Sequence, residues 1–359
     1  MSIHAERAAS DAIKPDSIET RPYPPSFIDK FLSWVEHLPI PFGVTYFALF
    51  LLEGSLNHLL SWADGWLPSY TLNPLILTYP LWLWGPLAIM TYLNLLAREV
   101  WHDFASLLDV SSETKQRIEY EFTTMPQKAV ILSGAFWAIW YFGVMVVLKD
   151  NFFRAYRLGD WLTVFLFMEG LITFLIGSVI YYHSIRQLRL VDQTVKLVKQ
   201  FDLFRLDPVY AFSILTSRTG IAWVCLISFT LLTFPIQIAL LPTLATLVIQ
   251  IVLAITAFVL PLRSVNRRLV VEKRRLLAEH SQRVQSTLAR LHAHLNENRL
   301  TEMVELNNAI AGLKAEGELL TNIPTWPWRA GLFTGFLSIV VLPIVLFIVQ
   351  LVIGRWLGR

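Results

Sequence analysis

The chain has 359 residues, 55% of them hydrophobic and 16% charged, with a net charge of +3 and a mean hydropathy of +0.51. Soluble domains carry roughly a quarter charged residues, so this composition argues against an ordinary soluble protein and for several membrane spans. The single cysteine, Cys225, excludes a disulfide framework, and within its apolar run it reads as a small packed residue.

The first 26 residues, MSIHAERAASDAIKPDSIETRPYPPS, are polar and carry no apolar core of a cleavable signal. Residues 1–40 read as a cytoplasmic tail, disordered or loosely attached. A membrane helix takes roughly 20 mostly apolar residues. On that measure the spacing predicts an all-α, polytopic membrane protein with seven transmembrane helices at about 42–63, 73–96, 129–148, 161–183, 220–241, 243–262 and 331–353. Glu53, Asn57 and His58 interrupt the first, and Pro80 and Pro86 the second. Proline is tolerated in a membrane helix because neighbours satisfy the freed backbone groups, though it bends the helix.

Orientation follows from the basic residues. With the N-terminus inside, segments 1–41, 97–128, 184–219 and 263–330 are cytoplasmic and hold 25 of the 30 Lys and Arg. The positive-inside rule therefore predicts N-inside and C-outside, the reverse of the G-protein-coupled receptor arrangement. Residues 41–262 then form six spans with cytoplasmic helical extensions, and 331–359 the seventh span with a short outer tail.

The cytoplasmic segments carry helical periodicity. Val100, Phe104, Leu107 and Leu108 fall at helical spacing, as do Ile185, Leu188, Val191, Val195 and Val198. Within 263–330, Leu277, Val284, Leu288, Leu291 and Leu295 form one stripe. Met303, Leu306, Ile310, Leu313 and Leu320 form another, with Gly317 in register. Three- and four-residue spacings of this kind, shared with coiled coils, mark a seam, and the NENR turn between them makes an antiparallel helical hairpin. The run RSVNRRLVVEKRR just below the sixth span holds five Arg and one Lys. It reads as a topology anchor on anionic headgroups of the inner leaflet rather than as a nucleic-acid site. At the far end of the hairpin, Pro324, Trp326, Pro327, Trp328 and Arg329 form an interface hinge. Proline stops the helix, the two Trp sit at headgroup depth and Arg329 reaches the phosphates.

Ionisable groups inside spans are costly and face a cavity or a partner. Glu53 and His58 in the first span and Glu169 in the fourth are the candidates for a ligand or ion site, or for an interhelical hydrogen-bond network. Trp62, Tyr79, Trp82 and Trp140 line the outer halves of the early spans, as an aromatic wall for an apolar or cationic small molecule or as an interface belt. Thr334, Ser338 and Gln350 are the polar groups of the last span and the candidate pore lining, with Gln350 near the outer mouth.

Three stretches, DLFRLDPVYAFSILTSRTGIAW at 202–223, NRRLVVEKRRLLAEH at 266–280 and IPTWPW at 323–328, resemble an uncharacterised family of prokaryotic multi-span membrane proteins, which implies a multi-pass protein of the prokaryotic cell membrane. The topology, the cytoplasmic extensions and the split last helix are similar to the insect odorant and gustatory receptor channels. That likeness implies a tetramer joined through cytoplasmic helices, a ligand site among the early spans and a pore lined by the seventh helix. Those channels carry a Thr-Tyr…Gln-Phe motif there; the stretch PIVLFIVQL at 343–351 shares only Gln350 with it.

Enzyme signatures such as HExxH, GxSxG and the Walker loop do not occur, and the eight His lack metal-ligand spacing. The expectation is a non-enzyme without cofactor or metal. A ligand-gated homo-oligomeric channel leads. A membrane scaffold or sensor holding a cytoplasmic partner on the 264–320 hairpin, and a solute transporter, are the alternatives.

Overall fold

The structure, a computed structural model, describes residues 21–152, 160–199, 201–204, 206–233, 240–296, 300–328 and 330–356. The described residues are helical without strands. In chain order the helices are α1 (Phe27–Glu36), α2 (Phe42–Ala63), α3 (Thr78–Phe104), α4 (Ser112–Thr123), α5 (Gln127–Phe152), α6 (Asp160–Ile176), α7 (Val179–Leu197), α8 (Asp207–Thr233), α9 (Leu240–Asn296), α10 (Leu300–Asn322) and α11 (Ala330–Trp356).

Five stretches among the described residues are long and apolar enough to cross a membrane: Thr78–Leu107, Gln127–Val146, Trp161–Leu197, Asp207–Ser228 and Gly331–Val349. The first expected span is a helix with the bounds read from sequence, α2, but Glu53, Asn57 and His58 dilute its apolar character and it is not one of the five. The sixth falls in the first part of α9, many of whose side chains lie outside the described residues.

Helix α8 organises the bundle, packing against α3, α9 and α11. Between Asp207 and Ser228 only Asp207, Ile214, Arg218 and Cys225 are exposed. Spacings of seven, four and seven residues put these four on one line of the helix, and the remaining faces are covered. Cys225 is therefore exposed and not the packed residue its apolar surroundings suggest: it falls on the line of α8 that is left open among the described residues. On the covered faces, Ser213, Thr216 and Thr219 are buried and return their hydroxyls to backbone carbonyls of their own helix. Small hydroxyl residues of this kind let membrane helices approach closely.

Between α6 and α7 the chain breaks at Gly177 and Ser178, within the expected fourth span. The break is where α3 comes closest: a Cβ on Gly177 would lie 2.0 Å from the Trp82 carbonyl oxygen. Helix α3 ends in a short 3-10 turn, Ala105–Leu107, and α4 is a separate element. Val100, Phe104 and Leu108 are buried with Val191, Val195 and Val198, in a cluster shared by α3, α7, α8 and α9. Leu107 is only partly buried, and Ile185 is exposed.

The N-terminal segment departs most from expectation. Residues 1–20 lie outside the described residues, but 21–36 are fastened to the bundle. Ser26 and Asp29 form a reciprocal capping box, and Ile28, Leu32 and Val35 enter a core with Leu87, Met90 and Val179. Arg98 pairs with Glu36 at 2.8 Å. Asp29 Oδ2 also accepts from the Met125 amide at 2.8 Å, tying the segment to the start of α5. Burial pushes the Asp29 carboxyl above its usual range, against the lowering effect of these donors. A folded-state pKa above the unfolded one gives stability that is fully present below the unfolded carboxyl range, about 4, and is lost as pH rises through the folded value. Mild acidification is expected to tighten residues 21–36, and Asp29→Asn to remove that dependence. Amide hydrogen exchange of α1 across mildly acidic pH tests both.

Helix α9 runs unbroken through Pro261 for 57 residues and pairs with α10 as the expected hairpin. Leu277, Val284 and Leu291 are partly covered in the seam, as are Leu306, Ile310 and Leu313, while Leu288 is exposed. Leu295 and Met303 have side chains outside the described residues. Gly317 meets His280: a Cβ there would lie 2.8 Å from the ring. Three of the six cations of the basic run are paired within the chain, Arg275 with Glu272 and Glu279 at 2.9 and 3.4 Å. Arg268 caps the end of α7 through the Val195 carbonyl at 2.6 Å and that of Val198, and Lys273 caps α10 through Thr321 and Ile323 at 2.6 and 2.8 Å. The last carbonyls of a helix have no intrahelical partner and carry partial negative charge, so a cation suits them. Lys273→Ala is expected to cost about 1 kcal/mol and to raise hydrogen exchange at 319–325 selectively.

Candidate acidic site within the helix bundle

The two interior acids meet. Glu53 sits midway along α2, and Asn57, one turn on, shares its face. Glu169 stands on α6. The Asn57 Nδ2 donates to Glu169 Oε1 at 2.6 Å, and the Trp84 indole N–H of α3 donates to Glu53 Oε2. Asn57 shares the Glu53 face of α2, so its bond to Glu169 brings the two acids to one place. Tyr79 and Tyr141 join their hydroxyls at 3.4 Å, and both lie within electrostatic reach of Glu169. Gly170 makes room for this: a Cβ there would sit 2.1 Å from the Tyr141 hydroxyl. Four helices, α2, α3, α5 and α6, thus converge on one polar point inside an apolar bundle.

Not every expected site residue joins it. His58 is buried, but its Nδ1 donates to the Gly54 carbonyl at 2.7 Å and its Nε2 accepts from the Asn73 amide at 3.1 Å. Both ring nitrogens are used, and together they fasten the loop after α2. Trp62 donates to the Thr71 carbonyl at 2.9 Å and holds the same loop. Trp82 packs into the core below the site. Trp140 is half exposed, against Trp137 and Phe174.

The chain has no match among protein-family models, curated proteins or solved structures.

Along α11, Phe336, Val340, Pro343 and Phe347 are buried at spacings of four, three and four. Phe336 and Val340 dock against Val224, Phe258 and Ala254. Thr334 and Ser338 lie on the opposite, exposed side, and their hydroxyls bond to the Gly331 and Thr334 carbonyls at 3.2 and 2.9 Å. The Gln350 side chain lies outside the described residues. The junction before α11 is a fastened corner. Asn266 donates to the Thr325 carbonyl at 3.0 Å, Pro327 is buried, and Trp326 stacks on Trp328 at 4.4 Å, which stacks on Phe333 at 5.2 Å. Pro324 is exposed at the end of α10, and Arg329 lies outside the described residues.

A second polar cluster escaped sequence reading. His183 Nε2 lies 2.8 Å from Asn94 Oδ1, and Gln187 donates to the Phe122 carbonyl at 3.0 Å. All three side chains are buried. The available signal was weak: His183 and Gln187 lie one turn apart at the edge of an apolar run, and Asn94 stands alone in another.

Proposed function

We propose that the chain is a seven-span protein of the prokaryotic cell membrane, N-inside and C-outside, that assembles as a homotetramer and conducts ions through a pore lined by α11, gated by a small ligand. The placement of 25 of 30 basic residues on one side supports the orientation. The observation that carries the pore is the attachment of α11 by a single stripe. Its opposite face, with Ser338, is exposed among the described residues, and a Cβ on Gly331 or Gly335 would meet no described atom within 4 Å. A helix held on one side and open on the other suits an axis shared between subunits.

Oligomeric mass in lipid nanodiscs tests this first. A tetramer that conducts, with a cysteine at position 338 accessible only in the open state, supports the pore, and a monomer or dimer removes it. Gly331→Leu and Gly335→Leu are expected to change subunit stability by less than about 0.5 kcal/mol while lowering the tetramer fraction.

A scaffold reading draws on the hairpin. Val271, Val304 and Leu319 are 65%, 65% and 66% exposed, on a pair of helices standing away from the bundle. Substitutions there that abolish partner capture, in a protein without conductance, would favour it.

A further inference from the structure

We propose that Glu53 and Glu169 hold a single exchangeable proton between their carboxyls, making this pair a proton-binding site inside the membrane. The inference does not depend on α11 forming a pore.

Each carboxyl has one external N–H donor: Trp84 feeds Glu53 and Asn57 feeds Glu169. Asn57 joins the α2 face that carries Glu53 to Glu169. Two ionised carboxylates offer only acceptors and repel one another in a low-dielectric interior, so they share this place only when one of them carries a proton. Glu169 Oε2 accordingly is buried without a donor among the described residues.

Asn57 carries a second orphaned oxygen beside the pair. Its side chain is fully buried, its amide is aimed into the pair, and its Oδ1 has no partner among the described residues. Were the amide turned over, Oδ1 would face a Glu169 oxygen, and that contact also requires a proton on the carboxyl. The other titratable groups facing the pair are Tyr79 from α3 and Tyr141 from α5, and no Lys or Arg partner is found for it among the described residues. With one proton the pair carries one negative charge, met by two N–H donors. Loss of that proton to water leaves two negative charges at one place in a medium of low dielectric, which drives α2 and α6 apart. Proton occupancy and the α2–α6 distance are thus linked.

The test uses the full-length protein in nanodiscs at neutral pH, where a solvated carboxyl is ionised. Infrared spectra are expected to show a carboxylic-acid C=O band equal to one group per chain. Dicyclohexylcarbodiimide, which adds to protonated carboxyls, is expected to give one adduct per chain, on the peptide holding Glu53 or the one holding Glu169. Glu53→Gln and Glu169→Gln should each abolish both signals, because the new amide donates to the remaining carboxylate and the shared proton is no longer needed. No acid band in the wild type, two adducts per chain, or a signal that survives in either Gln variant overturns the proposal. The wild-type spectrum stands whether or not the variants fold.

Discussion

Arg186→Ala is expected to release residues 21–36 from the bundle and to cost about 3–4 kcal/mol. The guanidinium closes the N-terminal segment over the end of α4. It donates to the Thr124 carbonyl at 2.7 Å and to that of Glu121, both at the C-terminus of a helix, where carbonyls lack intrahelical partners. It also donates to the Tyr23 hydroxyl and lies 5.6 Å from the centre of that ring. Tyr23 in turn donates to Thr124 at 3.0 Å and accepts at its carbonyl from Tyr120 at 2.7 Å. Burial holds the Tyr23 phenol well above its usual range, so it stays neutral and remains a donor. Hydrogen bonds to a charged group contribute roughly 1.5–3 kcal/mol each, and removing the hub leaves several acceptors unpaired at once. Hydrogen exchange across 21–36 should rise strongly, with a lower thermal midpoint. Arg186→Lys should recover only part, because an ammonium cannot span three acceptors as a planar fork does. Unchanged protection in Arg186→Ala would show that apolar contacts of α1 suffice.

Gly177→Val should be comparably damaging, costing roughly 3 kcal/mol or more. A Cβ at this position would stand 2.0 Å from the Trp82 carbonyl oxygen and 2.9 Å from that of Thr173. Both obstacles are backbone, and a backbone atom has no rotamer to escape into, so α3 must part from the α6–α7 break. Gly54→Ala gives the contrast: its Cβ would meet only the Leu77 Cδ2 at 2.9 Å, the end of a flexible side chain, and about 1 kcal/mol is expected. Thermal unfolding in detergent compares the two. Equal losses would mean that the α3 approach at Gly177 relaxes as readily as a leucine rotamer.

The parts that could be read from sequence were those with a local signal. The α9–α10 hairpin follows from apolar residues at three- and four-residue steps, and α2 from an apolar run of the right length. The capping box at Ser26 and Asp29 has a Ser-x-x-Asp pattern in the sequence, yet the polar stretch before it made residues 1–40 read as a tail. Its anchors could not be read, since Tyr23 and Arg186 are 163 residues apart and neither sits in a motif. The acidic site was half legible. Glu53 and Glu169 each stood out as a charge in an apolar run, but Trp84 gave no sign of being a hydrogen-bond donor to one of them, and Tyr79 read as part of an aromatic wall or belt. Cys225 misled because an apolar run says how hydrophobic a helix is and not which of its lines a neighbour covers.

The unbroken course of α9 turns a length into a mechanical property. At 1.5 Å per residue, the stretch from Pro261 to Asn296 is a rod of about 50 Å. Val265 and Leu269 are held in the core and Leu276 packs against it, so the part that projects runs from Leu277 to Asn296, about 30 Å. A rotation of about 5° there carries its tip through about 2–3 Å. At its base Asn266 and Lys273 grip the corner that leads into α11, so the foot of the rod and the entry to α11 form one fastened unit.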